Sequence, residues 1–99
     1  MLDNLHLETF SEHLQSKFSV RREPSADPVE LQLVEAQIAG QAPGYEQFSL
    51  IFSGPQAPFL EQAIYSFAHD SLGTFDMFIV PVQRDADGFK YQAIINRPI

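Results

Sequence analysis

The stretch from Gly73 to Arg97 restricts the fold more than any other, because it reads as two alternating arms folded back across a tight polar turn. The first arm, Thr74 to Val82, sets Phe75, Met77 and Ile79 on one face and Phe78, Val80 and Val82 on the other. The second, Phe89 to Ile95, sets Phe89, Tyr91, Ala93 and Ile95 on a single face. Between them lies Asp85-Ala86-Asp87-Gly88, in which the glycine supplies the positive φ that an aspartate turn needs to reverse direction. A β-hairpin is predicted here.

Ninety-nine residues are enough for one domain with one core. There is no cysteine, which excludes a disulfide framework, an iron–sulfur cluster and a thiolate zinc site, and fits a reducing compartment. Met1 to Phe10 carries Asp3 and Glu8, no Lys or Arg and no continuous apolar run, unlike a secretory signal. No window approaches the roughly 18 apolar residues of a membrane span. A soluble, cytoplasmic protein that does not bind membranes is therefore expected. Thirteen acidic residues against six basic ones give a net charge of −7, and of the basic residues only Arg21-Arg22 cluster. That field opposes nucleic acid, and nine phenylalanines at strand-like spacing are more simply core than a base-stacking platform.

The remaining elements follow in chain order. Thr9 with Glu12 matches a capping box, predicting a short helix over Phe10 to Gln15, with Phe10 and Leu14 on one side, that acts as a plug or lid. Lys17 to Arg22 alternates with Phe18 and Val20 inward and makes a first strand. Glu23 to Pro28, with two prolines, is a loop. Val29 to Ala39 changes the parity of its apolar set at Leu33-Val34, which predicts a strand with a bulge there; a helix is the competing reading, opposed by the β-branched content and Gly40. Gly40 to Gly44 is a turn. Glu46 to Ser53 alternates Phe48, Leu50 and Phe52 against Gln47, Ser49 and Ser53, with Ile51 facing outward, and Gly54-Pro55 ends it. Ala63, Tyr65, Phe67 and His69 share one face of a fourth strand. The fold class expected is mainly β: a single small six-stranded antiparallel barrel or open sandwich, traced as a meander, with one short N-terminal helix.

Several stretches together resemble a family of small bacterial proteins, about 100 residues long, that carry only a domain-of-unknown-function label. They are Leu2 to Phe10 followed by Phe18, Phe48 to Pro55, Gln62 through Tyr65 to His69 with Leu72-Gly73, and Phe78 to Val82 with Asp85 to Gly88 and Tyr91 to Ala93. The resemblance covers nearly the whole chain and implies an accessory or assembly role beside tail-collar or tail-fibre-like proteins, but it assigns no catalytic residue. The family pattern more often has glycine where this chain has Gln15.

Residues that could carry chemistry are few. His6 and His13 stand seven apart without a His-Glu-x-x-His motif, so no metal site and no cofactor is expected. On a strand, His69 and Asp70 point to opposite faces, Asp70 capping the turn, which argues against a direct dyad. Asp85 to Gly88 lacks the downstream glutamate of a calcium loop and has Lys90 close by, so a plain turn is favoured. No Gly-x-Gly spacing or nucleophile elbow occurs.

What remains is recognition, by a non-enzymatic protein-interaction module. Arg21 and Arg22 on an expected edge strand, Tyr45 beside a glycine turn, the outward Ile51, and His69 are the candidate contact residues. The partner would be another protein, of fibre-like or phage-tail-like type, adding a strand or a groove contact at a sheet edge; a homo-oligomer is compatible with the same surface. Isolated apolar residues and edge charges also occur on surfaces that bind nothing. The alternative is a barrel binding a small apolar ligand among Phe48, Phe52, Tyr65, Phe67, Phe78 and Tyr91. An enzyme built on His69 with Asp70 or Asp76 ranks last.

Overall fold

The computed structural model describes residues 6–22, 27–40 and 43–98. The elements are α1 (Leu7–Ser11), β1 (Lys17–Arg21), β2 (Val29–Ile38), β3 (Tyr45–Gly54), β4 (Ala63–His69), β5 (Gly73–Asp85) and β6 (Gly88–Pro98). All strand pairs are antiparallel, in the order β1-β2-β3-β6-β5-β4, and β1 closes the ring on β4. The barrel therefore forms as expected, traced as two three-stranded meanders. The segment between β3 and β4, Pro55 to Gln62, crosses one end of the barrel so that β3 pairs with β6.

Closure corrects one expectation. Strand β1 is not an edge, since Ser19 to Arg21 pair with Ala68 to Ser66 of β4 while Lys17 to Val20 pair with β2. The predicted bulge in β2 is present, as a register shift between Leu33 and Glu35. A second shift falls between Pro81 and Gln83 of β5, where a residue without a backbone N–H is tolerated. Asp85 and Gly88 close the hairpin as neighbours. The Asp85 carboxylate accepts from the N–H groups of Asp87 and Gly88 at 3.0 and 3.1 Å and from Lys90 Nζ at 3.0 Å, so it is consumed by a plain turn.

Aromatic rings fill the interior. Phe18 meets Phe52 edge-on at 5.3 Å, Phe52 meets Phe67 at 5.3 Å, and Phe67 stacks on Phe75 at 5.8 Å. At one end Leu60 is buried, its N–H donating to Tyr91 Oη, while Tyr65 Oη donates to the Glu61 carbonyl. At the other end Phe10 of α1 is fully buried between Phe48 and Phe75 and acts as the expected plug. Of the six rings proposed to line a cavity, Phe48, Phe52, Tyr65, Phe67 and Tyr91 are core, but Phe78 lies outside and is 50% exposed. Strand alternation requires this, because Phe75, Met77 and Ile79 take the inner face.

The helix lies three residues earlier than predicted and is capped differently. His6 is its N-cap and donates through its backbone N–H to Thr9 Oγ1 at 3.3 Å. Glu46, 39 positions further along the sequence, accepts the Leu7 N–H through Oε2 at 3.2 Å. That long-range carboxylate fixes where the helix starts, and the local Thr9–Glu12 pattern does not.

Candidate functional site

The ladders do not run the full length of the strands, and this creates the surface of greatest interest. The β4–β5 ladder runs from Ala63–Ile79 to His69–Gly73, whereas the β5–β6 ladder begins only at Val80–Gln92. Strand β5 thus hands over from one neighbour to the other at Ile79/Val80. Beyond that rung, β6 from Ala93 onward is paired with β3. The first half of β5 and the second half of β6 so form the two lips of a notch. Phe78 and Ile94 stand two residues from the last rung, one on each lip, both on the outer face; they are 50% and 63% exposed. Ile64, 65% exposed, is the direct cross-strand partner of Phe78, and Val82 sits exposed at the β5 bulge. Phe78 and Ile64 are thus neighbours across the β4–β5 ladder, with Val82 and Ile94 exposed on the flanking stretches of β5 and β6.

The five candidates from sequence do not converge. Arg21 ends β1 opposite Ser66, and Arg22 follows it, its Nη2 3.2 Å from Glu61 Oε2. Ile51 faces outward in mid-strand between Glu35 and Gln92 and is half-buried. Tyr45, exposed at the start of β3, lines an open groove of about 1000 Å³ together with Leu7, Ile38 and Glu46. At that groove Glu46 is fully engaged: His6 Nδ1 lies 2.9 Å from Oε1, and Arg97 donates to the same oxygen through Nε and Nη2 at 3.3 and 3.2 Å. Burial works to raise the Glu46 pKa, but the hydrogen bonds from His6, the Leu7 N–H and Arg97 outweigh it and hold the carboxyl below its ordinary value.

His69 sits at the far end of β4, half-buried, and has the most specific environment of the five. Its Nδ1 accepts from the backbone N–H groups of Ser71 at 3.0 Å and Leu72 at 3.3 Å, so this nitrogen carries a lone pair. The proton is on Nε2, which donates to Ser16 Oγ at 3.0 Å, and Ser16 Oγ in turn donates to the His13 carbonyl at 2.5 Å. The ring of His69 thus caps the turn, a role sequence reasoning gave to Asp70. In this tautomer it donates to the serine, opposite to the direction in which a base would activate one. The His13 ring lies edge-on at 4.8 Å and Phe18 at 4.6 Å. Burial lowers the His69 pKa and His13 adds to this, against a smaller upward pull from Asp70. Asp76 pairs with Ser66 on the outer face, several positions along β5 from this cluster.

Among the described residues no three His, Asp or Glu side chains gather as a metal site, and no helix is long and apolar enough to cross a membrane. A family model, described as a domain of unknown function (DUF6916), matches residues 5–95. The chain belongs to the DUF6916 family. No curated protein and no solved structure matches it. In this DUF6916 chain the residues that sequence reasoning missed are Ile64 and Ile94. The signal was present in β5, whose second face already carried Phe78, Val80 and Val82: a strand apolar on both faces has more apolar surface than one core can bury.

Proposed function

We propose that this protein is a non-enzymatic protein-interaction module that takes an extended segment of a partner chain into the notch between β5 and β6. The observation that carries the reading is the exposure of Phe78, Ile94 and Ile64 at the point where the β5–β6 ladder stops. Apolar lips beside strand edges suit strand addition, in which backbone hydrogen bonds supply affinity and side-chain pockets supply selectivity. Among the described residues Lys17, Arg22, Lys90 and Arg97 are held in ion pairs, and the chain carries a net charge of −7. A partner segment with basic flanks is favoured by that field. The family resemblance supplies the partner class, a fibre-like or tail-like assembly protein, for which this chain would be an accessory subunit.

The double variant Phe78→Ser with Ile94→Ser tests this directly. Both side chains are on the outer face, so the thermal midpoint is expected to stay within a few degrees of the wild type while binding to the partner assembly is lost. A large drop in the midpoint with binding retained would make these residues structural and remove the reading.

A further inference from the structure

The His69 cluster joins two parts of the chain that are far apart in sequence, and it does so only while the ring is neutral. On one side are the N–H groups of Ser71 and Leu72, in the turn between β4 and β5. On the other is Ser16, at the corner between α1 and β1. That corner is also tied to β2: Gln15 N–H donates to the Leu33 carbonyl at 2.7 Å, and Leu33 N–H donates to the Ser16 carbonyl at 3.1 Å. The corner immediately follows the helix whose Phe10 closes the barrel end.

We propose that His69 is an acid-sensitive latch: neutral, its two nitrogens tie the β4–β5 turn to the corner after α1, and protonated, it releases the turn from that corner. The chemistry is one of donor count. A neutral ring offers one acceptor and one donor, and both are used. Protonation places an N–H on Nδ1, directly against two backbone N–H groups that have lost their acceptor. The ring cannot satisfy the turn by rotating, because its other nitrogen then faces the same donors.

The charges around the ring decide where this happens. From the tail of α1, His13 lies ring to ring with His69, so a second positive charge there opposes protonation. From the turn, Asp70 favours it. Lys17 of β1 and Glu30 of β2 line the shallow cleft beside the ring and are paired with each other at 3.5 Å, which leaves little net field from that side. Burial and His13 prevail, and the folded-state pKa falls below the ordinary value of 6.5. The unfolded chain then binds the proton more readily than the folded one. Stability is full above the ordinary histidine value and is lost as pH falls from there through the lower, folded-state value.

Nuclear magnetic resonance on the full chain, titrated from pH 8 to pH 4.5, tests the latch. The amides of Ser71, Leu72 and Ser16 are expected to shift with the same midpoint as the His69 ring, while β3 and β6 stay folded. His69→Gln cannot be protonated and should abolish the transition. His13→Gln should keep it and move the midpoint upward, because a repelling charge is gone. The proposal is overturned if the His69 ring titrates with the turn amides unmoved, or if His13→Gln abolishes the transition.

Discussion

Gln15 holds a left-handed backbone, with φ of 72°, and no other non-glycine residue among those described does so. Its backbone is in use, since the N–H reaches Leu33 and the carbonyl accepts from Gln32 Nε2 at 3.0 Å, while its side chain is exposed. A glycine there would keep both backbone bonds and remove the steric cost, which is about 1–2 kcal/mol for an L-residue in this region. Part of that gain is offset by the roughly 0.5–1 kcal/mol of extra freedom glycine has in the unfolded chain. Gln15→Gly is therefore expected to stabilise the protein by about 0.5 kcal/mol, read as a small rise in the urea midpoint; a fall would show that the side chain holds the corner in some other way.

At the scale of elements, the strands were legible because their inner faces alternate without a break: Phe48, Leu50 and Phe52 in β3, Tyr65 and Phe67 in β4, Tyr91, Ala93 and Ile95 in β6 are all buried as the spacing requires. The β2 bulge was legible for the same reason, since a change of parity has no other economical solution in a one-sided sheet. The helix start was not, because Glu46 and Arg97, which hold its first turn, are remote in sequence. The hairpin turn adds a sharper test. Gly73 and Gly88 both have positive φ, 81° and 148°, but a Cβ on Gly73 would meet open space while one on Gly88 would lie 2.0 Å from the Gly54 carbonyl oxygen. Gly73→Ala should cost only the backbone term of about 1 kcal/mol. Gly88→Ala must also push β3 and β6 apart and is expected to cost about 3 kcal/mol or more, at the upper end of what local strain supports. Equal midpoints for the two variants in denaturant unfolding would contradict this packing.

For the molecule as a whole, alternation says which face of a strand is inside and nothing about which strand lies beside it. The pairing of β3 with β6 and of β1 with β4 is therefore invisible in the chain, and Arg21 was placed on an edge that closure removes. The same gap hid the notch, which exists only because β5 exchanges β4 for β6 part-way along. Tyr45, Ile51 and His69 were found as unusual residues, yet the barrel distributes them over separate places; the surface that gathers exposed apolar groups joins two strands of one hairpin to β4. The interior is filled by the chain's own rings, Phe78 and Ile94 stand outside it, and we propose these two side chains as contacts for a partner. Photo-crosslinking measures this most directly: a benzophenone amino acid placed at position 78 or 94 in the native host, with position 30 on β2 as the control. The account predicts one discrete adduct with the same protein from both lip positions and none from position 30. Adducts of equal yield from all three positions, or none from the lips, would contradict it.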